Sequence, residues 1–298
     1  MFRSFSLPGY SEIDLSFPIK AIGQKLAEIK PAYIHIATEG PMGIAARRWI
    51  IKNNYQFTTS YHTNLPEYSK LLYKIPESWI WKYVKWFHSG SKNVLVPTQT
   101  VINTLDGHGF KNLKLWSRGI DASLFPQPSA SPINKINPNL KALLYVGRVS
   151  KEKNLDILCE LADNKNYECW IVGDGPYKST LEKKYTSTQV RFFGAIEHKS
   201  LAPFYQSADV FVFPSKTDTF GIVMIESMAC GTPVAAYPVQ GPIDVVANGI
   251  SGALNNNIEQ AIQSALKLPK DPIMSYAKQF TWERCASTFI ETIVPTRN

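Results

Sequence analysis

The chain has 298 residues, 44% of them apolar, and carries 32 basic against 24 acidic side chains, a net charge of +8. That length and apolar content support a sizeable core and two domains and exclude a disordered or fibrous protein. The positive charge points to an anionic partner (nucleotide phosphate, nucleic acid or an acidic membrane surface) without choosing among them.

No run of eighteen apolar residues occurs, and the start MFRSFSLPGY has neither a signal-peptide core nor a cleavage pattern, so the sequence reads as soluble or peripheral. The cysteines at 159, 169, 230 and 285 lack metal-like spacing. A reduced cytosolic compartment, with no disulfide and no zinc, is the expectation.

In chain order, strands are expected at 32–37 (AYIHIA, taken as the first), 56–60 (QFTTS), 93–96 (NVLV) and 113–116 (LKLW), with helical patterns at 43–52 and 99–106 between them. This alternation is α/β in character. Between 72 and 92, Trp79, Trp81, Trp86, Tyr73 and Tyr83 are interleaved with Lys74, Lys82, Lys85 and Lys92. That composition suits an amphipathic helix in an anionic headgroup layer and equally suits an aromatic-rich packed helix. Nothing else supports nucleic acid as the partner of this segment.

Residues 126–139, PQPSASPINKINPN, read as an interdomain linker. A second α/β set follows, with strands at 141–146, 168–172, 190–193, 209–213 and 234–236 and helices near 154–163, 177–185 and 198–207. A last helix is expected from 281 to about 293.

One stretch carries chemistry. Residues 214–233 read PSKTDTFGIVMIESMACGTP, with Asp218 and Glu226 eight residues apart. A strand ends before them, and the spacing predicts a helix over 221–230 with Ile222, Ile225 and Ala229 on its packed face, stopped by Gly231-Thr232-Pro233. Strand, loop, helix and strand make a βαβ unit, whose ligands bind beyond the carboxyl ends of the strands. Amides around Gly221 would open the helix and attract phosphate. Alone, Asp218 would be a helix cap, whereas a carboxylate at position 226 in an apolar helix costs free energy unless something binds it.

Five further motifs occur around this stretch: SYHT at 60–63, WSRGIDASLF at 116–125, GRVSKEKN at 147–154, VGDGP at 172–176 and FFGAI at 192–196. With the paired acids, where Asp218 stands in place of the first Glu of a Glu-x7-Glu signature, the chain resembles the family 4 glycosyltransferases of GT-B fold. The resemblance implies an α/β protein of two facing Rossmann-like domains, 1–125 on the acceptor side and 140–280 binding a nucleotide sugar, with 281–298 returning to the first. It also implies retention of anomeric configuration without a metal or other cofactor.

Residue by residue, the resemblance implies that Glu226 binds the ribose hydroxyls, Asp218 lies at the transferred sugar, and Gly147, Gly173, Phe220 and Gly221 face the donor. Arg148 and Lys153 would neutralise the departing diphosphate, a form of transition-state stabilisation by placed cations. His62 would reach the sugar across the cleft. The implied donor is a nucleotide diphosphate hexose of mannose or glucose type, the acceptor a hydroxyl on a membrane glycolipid, and the location cytoplasmic, at the inner face of the membrane. Full-length relatives begin with a strand, a glycine-rich loop and a helix ahead of anything like LPGYSEIDLSFP, so a first βαβ worth of residues is expected to be missing, lost or supplied by a partner chain. A donor-binding remnant and a GT-B nucleotide-sugar epimerase are the alternative functions.

Overall fold

The computed structural model describes residues 4–7, 10–16, 19–125, 132–163, 166–187 and 189–297. The chain divides into two compact units, Met1–Ser117 with Cys285–Asn298, and Arg118–Arg284.

The first unit opens with an antiparallel hairpin of β1 (Ser4–Leu7) and β2 (Tyr10–Ser16), followed by α1 (Ile19–Ile29). Then come β3 (His35–Ile36), α2 (Pro41–Lys52), β4 (Thr58–Ser60), α3 (Leu65–Tyr73), α4 (Glu77–His88), β5 (Asn93–Val96), α5 (Gln99–Gly107) and β6 (Leu113–Leu115). Strands β3 to β6 form a parallel sheet in sequence order. One core cluster contains Ile34, Ile36, Ile50, Phe57 and Phe87, and another Tyr61, Val84, Val94, Val96, Val101 and Leu105.

The expectation that 32–37 is the first strand is corrected. The hairpin precedes it, and only His35–Ile36 pair as strand. SFSL and YSEIDLS alternate polar with apolar residues and contain no apolar run, so their strand signal is weak one strand at a time.

The second unit contains β7 (Lys141–Val146), α6 (Asp156–Asp163), β8 (Tyr167–Val172), α7 (Lys178–Lys184), β9 (Val190–Gly194), α8 (Ala202–Ser207), β10 (Val210–Phe213), α9 (Ile222–Ala229), β11 (Val234–Ala236), α10 (Pro242–Val245), β12 (Gly252–Leu254), α11 (Ile258–Ala265) and α12 (Lys270–Ala277). Helix α13 (Trp282–Thr292) passes into the first unit at Cys285. All six strands are parallel, in the order β9-β8-β7-β10-β11-β12. Ala142, Leu144 and Val146 of β7 face one core and Leu143 and Tyr145 the other. Burial of both faces is why these strands read as continuous apolar runs.

The chain builds outward from β7 to β9, then returns to place β10 on the other side of β7. Loops after β7 and β10 therefore flank the point where strand order reverses, the place where open α/β sheets bind ligands.

Residues 126–131 of the expected linker lie outside the described residues. Its described part is fastened to the second unit: the Ile133 amide donates to Ser207 Oγ at 2.8 Å, the Ile136 amide to Glu168 Oε2 at 2.8 Å, and Lys135 pairs with Asp209 at 2.5 Å. Glu168 is fully buried and also accepts from Trp170 Nε1 at 2.6 Å and Arg191 at 3.0 Å.

Candidate functional site

At the reversal point, Lys153 ends a 3₁₀ turn (Lys151–Lys153) in the loop after β7, and Asp218 lies in the loop after β10. The Lys153 ammonium donates to Asp218 Oδ1 at 2.6 Å and Oδ2 at 2.8 Å, with the two side chains 13% and 21% exposed. Sixty-five residues apart in sequence, they meet because β7 and β10 are neighbours. Asp218 is thus not a simple helix cap: α9 is capped by Gly221, at φ 86°, without a side-chain cap bond.

Close backbone contacts shape these loops. A Cβ on Gly173, where φ is 138°, would lie 1.8 Å from the Gly147 carbonyl oxygen, so the ends of β7 and β8 touch through their glycines. The turn at Gly241 lies against the Asp218 carbonyl, where an added Cβ would come within 2.7 Å. Arg148 is half-buried beside these turns, and its carbonyl accepts from the Tyr145 hydroxyl at 2.8 Å. Thr217 Oγ1, next to Asp218, is buried with no hydrogen-bond partner among the described residues.

Glu226 lies in the second turn of α9 and is 3% exposed. Its Oε2 accepts from the Tyr205 hydroxyl at 2.7 Å and its Oε1 from His198 Nε2 at 2.9 Å. Burial, with Glu226 beside it, pushes the Tyr205 hydroxyl well above the usual tyrosine range, which keeps it a donor. His198 is half exposed and stands edge-on to Phe125, whose ring also meets Tyr205. Neither Tyr205 nor His198 stood out in the sequence. The expected helix 198–207 is in fact a 3₁₀ turn, His198–Ser200, followed by α8.

One expectation about α9 is corrected. Ile222, assigned to its packed face, is 38% exposed, whereas Met224 through Met228 are buried. In a helix this uniformly apolar, periodicity does not select a face. The Phe220 side chain belongs to the core, with 7% exposure, which is compatible with the expectation that its backbone amide faces the donor.

In the first unit, His62 follows β4 and its Nε2 lies 2.6 Å from Ser60 Oγ. Its ring is edge-on to Trp116 at 5.9 Å, and Trp116 Nε1 donates to the Cys285 carbonyl of α13 at 3.0 Å.

Two parallel-sheet α/β units, the second with its polar cluster at the reversal point, define a protein of GT-B fold. Sucrose-phosphate synthase from Thermosynechococcus elongatus shares that fold, with a TM-score of 0.77 at 23% identity over 92% of this chain and 75% of that one. The family follows from the sequence: the family described as Glycosyl transferases group 1 matches residues 127–281, and Glycosyltransferase Family 4 matches residues 2–124. The chain belongs to these glycosyltransferases.

Among curated relatives, sulfoquinovosyl transferase SQD2 of Arabidopsis thaliana is 31% identical across 82% of this chain and 50% of its own length. A GDP-mannose-dependent alpha-mannosyltransferase of Corynebacterium glutamicum is 28% identical across 83% of this chain and 61% of its own. The chain thus spans between half and two thirds of the length of these relatives.

Proposed function

We infer that the chain acts as a retaining glycosyltransferase, moving a hexose from a nucleotide diphosphate sugar to a hydroxyl acceptor. The observation that carries this reading is the Lys153–Asp218 pair at the reversal point of a Rossmann-ordered sheet, beside helix α9, whose Glu226 is held at both carboxylate oxygens by Tyr205 and His198. A buried carboxylate suits a ribose diol, since it accepts several hydrogen bonds at once. Lys153, steered by Asp218, and Arg148 supply positive charge where a diphosphate gains negative charge on leaving. Amides around Gly221 open α9 toward the same region. The acceptor hydroxyl attacks from the face the diphosphate leaves, and the diphosphate takes its proton. In this reading the two cations do the work of a metal.

Hexose donors of the mannose and glucose type are favoured by the relatives' names, among them GDP-mannose. The test is incubation with UDP-glucose and with GDP-mannose, with and without glycolipid acceptors. Nucleotide diphosphate release with sugar on the acceptor supports transfer. Nucleotide binding without release supports a donor-binding remnant, and inversion at a sugar carbon without transfer supports an epimerase.

A lipid-borne acceptor draws support from exposed side chains of the first unit. Trp79 is 68% exposed, Leu71 55% and Tyr73 42%, and Lys70, Lys74 and Lys82 of the same segment are exposed. The other aromatics of the segment have internal work: Trp81 stacks on His108 at 3.7 Å, and Arg47 lies 4.3 Å from the Trp86 ring centre. Aromatic and basic side chains together fit an anionic headgroup layer, which would hold the protein at the cytoplasmic side of a membrane. Co-sedimentation with phosphatidylglycerol vesicles that is lost in Trp79→Ala/Lys82→Glu supports this, and equal sedimentation of both forms contradicts it.

A further inference from the structure

His35 enters no motif; its strand reads as packing, and a histidine there is most simply a core residue. The structure gives it a chain of polar contacts. His35 Nδ1 lies 2.9 Å from Thr58 Oγ1, His35 Nε2 lies 3.0 Å from Ser60 Oγ, and Ser60 Oγ lies 2.6 Å from His62 Nε2. The parallel pairing of β3 with β4 sets Thr58 and Ser60 on the same side, two residues apart, flanking the His35 ring. Edge contacts to Phe289 at 5.1 Å and Trp116 at 6.2 Å hold that ring from other directions.

We propose that Thr58, His35 and Ser60 form a hydrogen-bonded relay that couples the tautomer of His62 to that of His35 and sets its ring plane, making His35 and Ser60 positioning residues for a histidine that meets the transferred sugar. The proposal rests on the reading of His62 as a sugar contact, although the relay itself does not.

A serine hydroxyl has one hydrogen, and a neutral imidazole carries one N–H. Burial lowers the His35 pKa to about 4, so its ring is neutral near pH 7. Only two arrangements then fill all three hydrogen bonds. In one, Thr58 donates to His35 Nδ1, His35 Nε2–H donates to Ser60, and Ser60 donates to His62 Nε2, so that neutral His62 has its hydrogen on Nδ1. In the other every bond reverses, His62 Nε2–H donates to Ser60, and His35 carries its hydrogen on Nδ1. His35 and His62 are therefore never both Nε2–H, the tautomer free imidazole side chains prefer. In either arrangement Nε2 of His62 is spent on Ser60.

Long-range proton–nitrogen NMR of the full chain at pH 7.5, with the five histidines assigned by single His→Gln variants, reads this directly. The relay predicts Nε2–H on one and only one of His35 and His62. In Ser60→Ala the constraint vanishes and His62 becomes a tautomer mixture, while Ser60→Thr restores the single form. Nε2–H on both residues in the unsubstituted protein overturns the relay, and that spectrum needs no variant to fold. Alongside, Ser60→Ala should release sugar from UDP-glucose or GDP-mannose on the order of tenfold more slowly, with unchanged UDP or GDP affinity. An anticorrelated pair of tautomers in a protein that never releases sugar would keep the relay and refute the sugar-contact reading. Equal Nε2–H tautomers in an active enzyme would do the opposite.

Discussion

A carboxylate only 3% exposed is costly unless partnered, and Glu226 has partners on both oxygens, Tyr205 and His198. If Glu226 binds ribose as proposed, its removal strips charged hydrogen bonds from the nucleotide, so Glu226→Ala should weaken UDP or GDP binding by about 1.5–3 kcal/mol, roughly ten- to a hundredfold in Kd. Calorimetric titration checks this, and circular dichroism confirms that the variant is folded. In the proposed transfer Lys153 acts on a charge that grows during reaction, so Lys153→Ala should lower kcat by about a hundredfold or more and leave donor affinity less affected. Equal losses in both would reduce Lys153 to a binding group. Asp218→Asn keeps the shape but removes the charge that steers the ammonium, and should give a smaller loss in kcat than Lys153→Ala, read in the same assay. At His35 the ordinary pKa of 6.5 falls to about 4 on folding. Between those values the unfolded chain binds a proton that the native chain does not, so stability falls as pH drops from 6.5 to 4 and levels off below. His35→Gln should flatten that part of a curve of denaturant midpoint against pH, and an unchanged slope would contradict the burial of the ring.

At the scale of elements, the loops after β7 and β8 are in backbone contact. Gly173→Ala would drive a Cβ to 1.8 Å from the Gly147 carbonyl at φ 138°, whereas Gly249→Ala meets nothing within 4 Å at φ 82°. The first should cost on the order of 3 kcal/mol or more, from clash and backbone strain, and the second about 1 kcal/mol, from strain alone. Urea unfolding separates the two. The same contact explains why the glycines of GRVSKEKN and VGDGP were readable as a pair only in the structure: each is an ordinary strand-end turn until the other touches it. Strands β7, β8 and β10 were legible because burial on both faces writes them as apolar runs. The hairpin was not, since alternation over so few residues is weak, and β3 was legible only within the longer run 32–37. Lys153 and Asp218 were legible singly through motifs, but their pairing depends on the strand order. Tyr205 and His198, 21 and 28 residues from Glu226, carried no periodic signal. A tyrosine on the apolar side of a helix was the one hint, since its hydroxyl needs a buried partner.

At the scale of the whole molecule, the charge of +8 was the broadest clue and the least specific, and the proposed function divides it between two tasks. In the proposed reading, part meets the diphosphate through Arg148 and Lys153. Part accompanies the exposed Trp79, Tyr73 and Leu71 on the first unit, where vesicle binding should weaken as salt rises from 0.05 to 0.5 M, the behaviour of an electrostatic surface contact, estimated to fade as the screening length drops from about 14 to 4 Å. Central to the account is that the second unit holds a nucleotide diphosphate with Glu226 at its ribose. The most direct measurement is calorimetric titration of the full chain and of Glu226→Ala with UDP and with GDP. The account predicts that at least one nucleotide binds and that the folded variant binds it at least tenfold more weakly; no binding of either, or equal affinity in the two proteins, would contradict it.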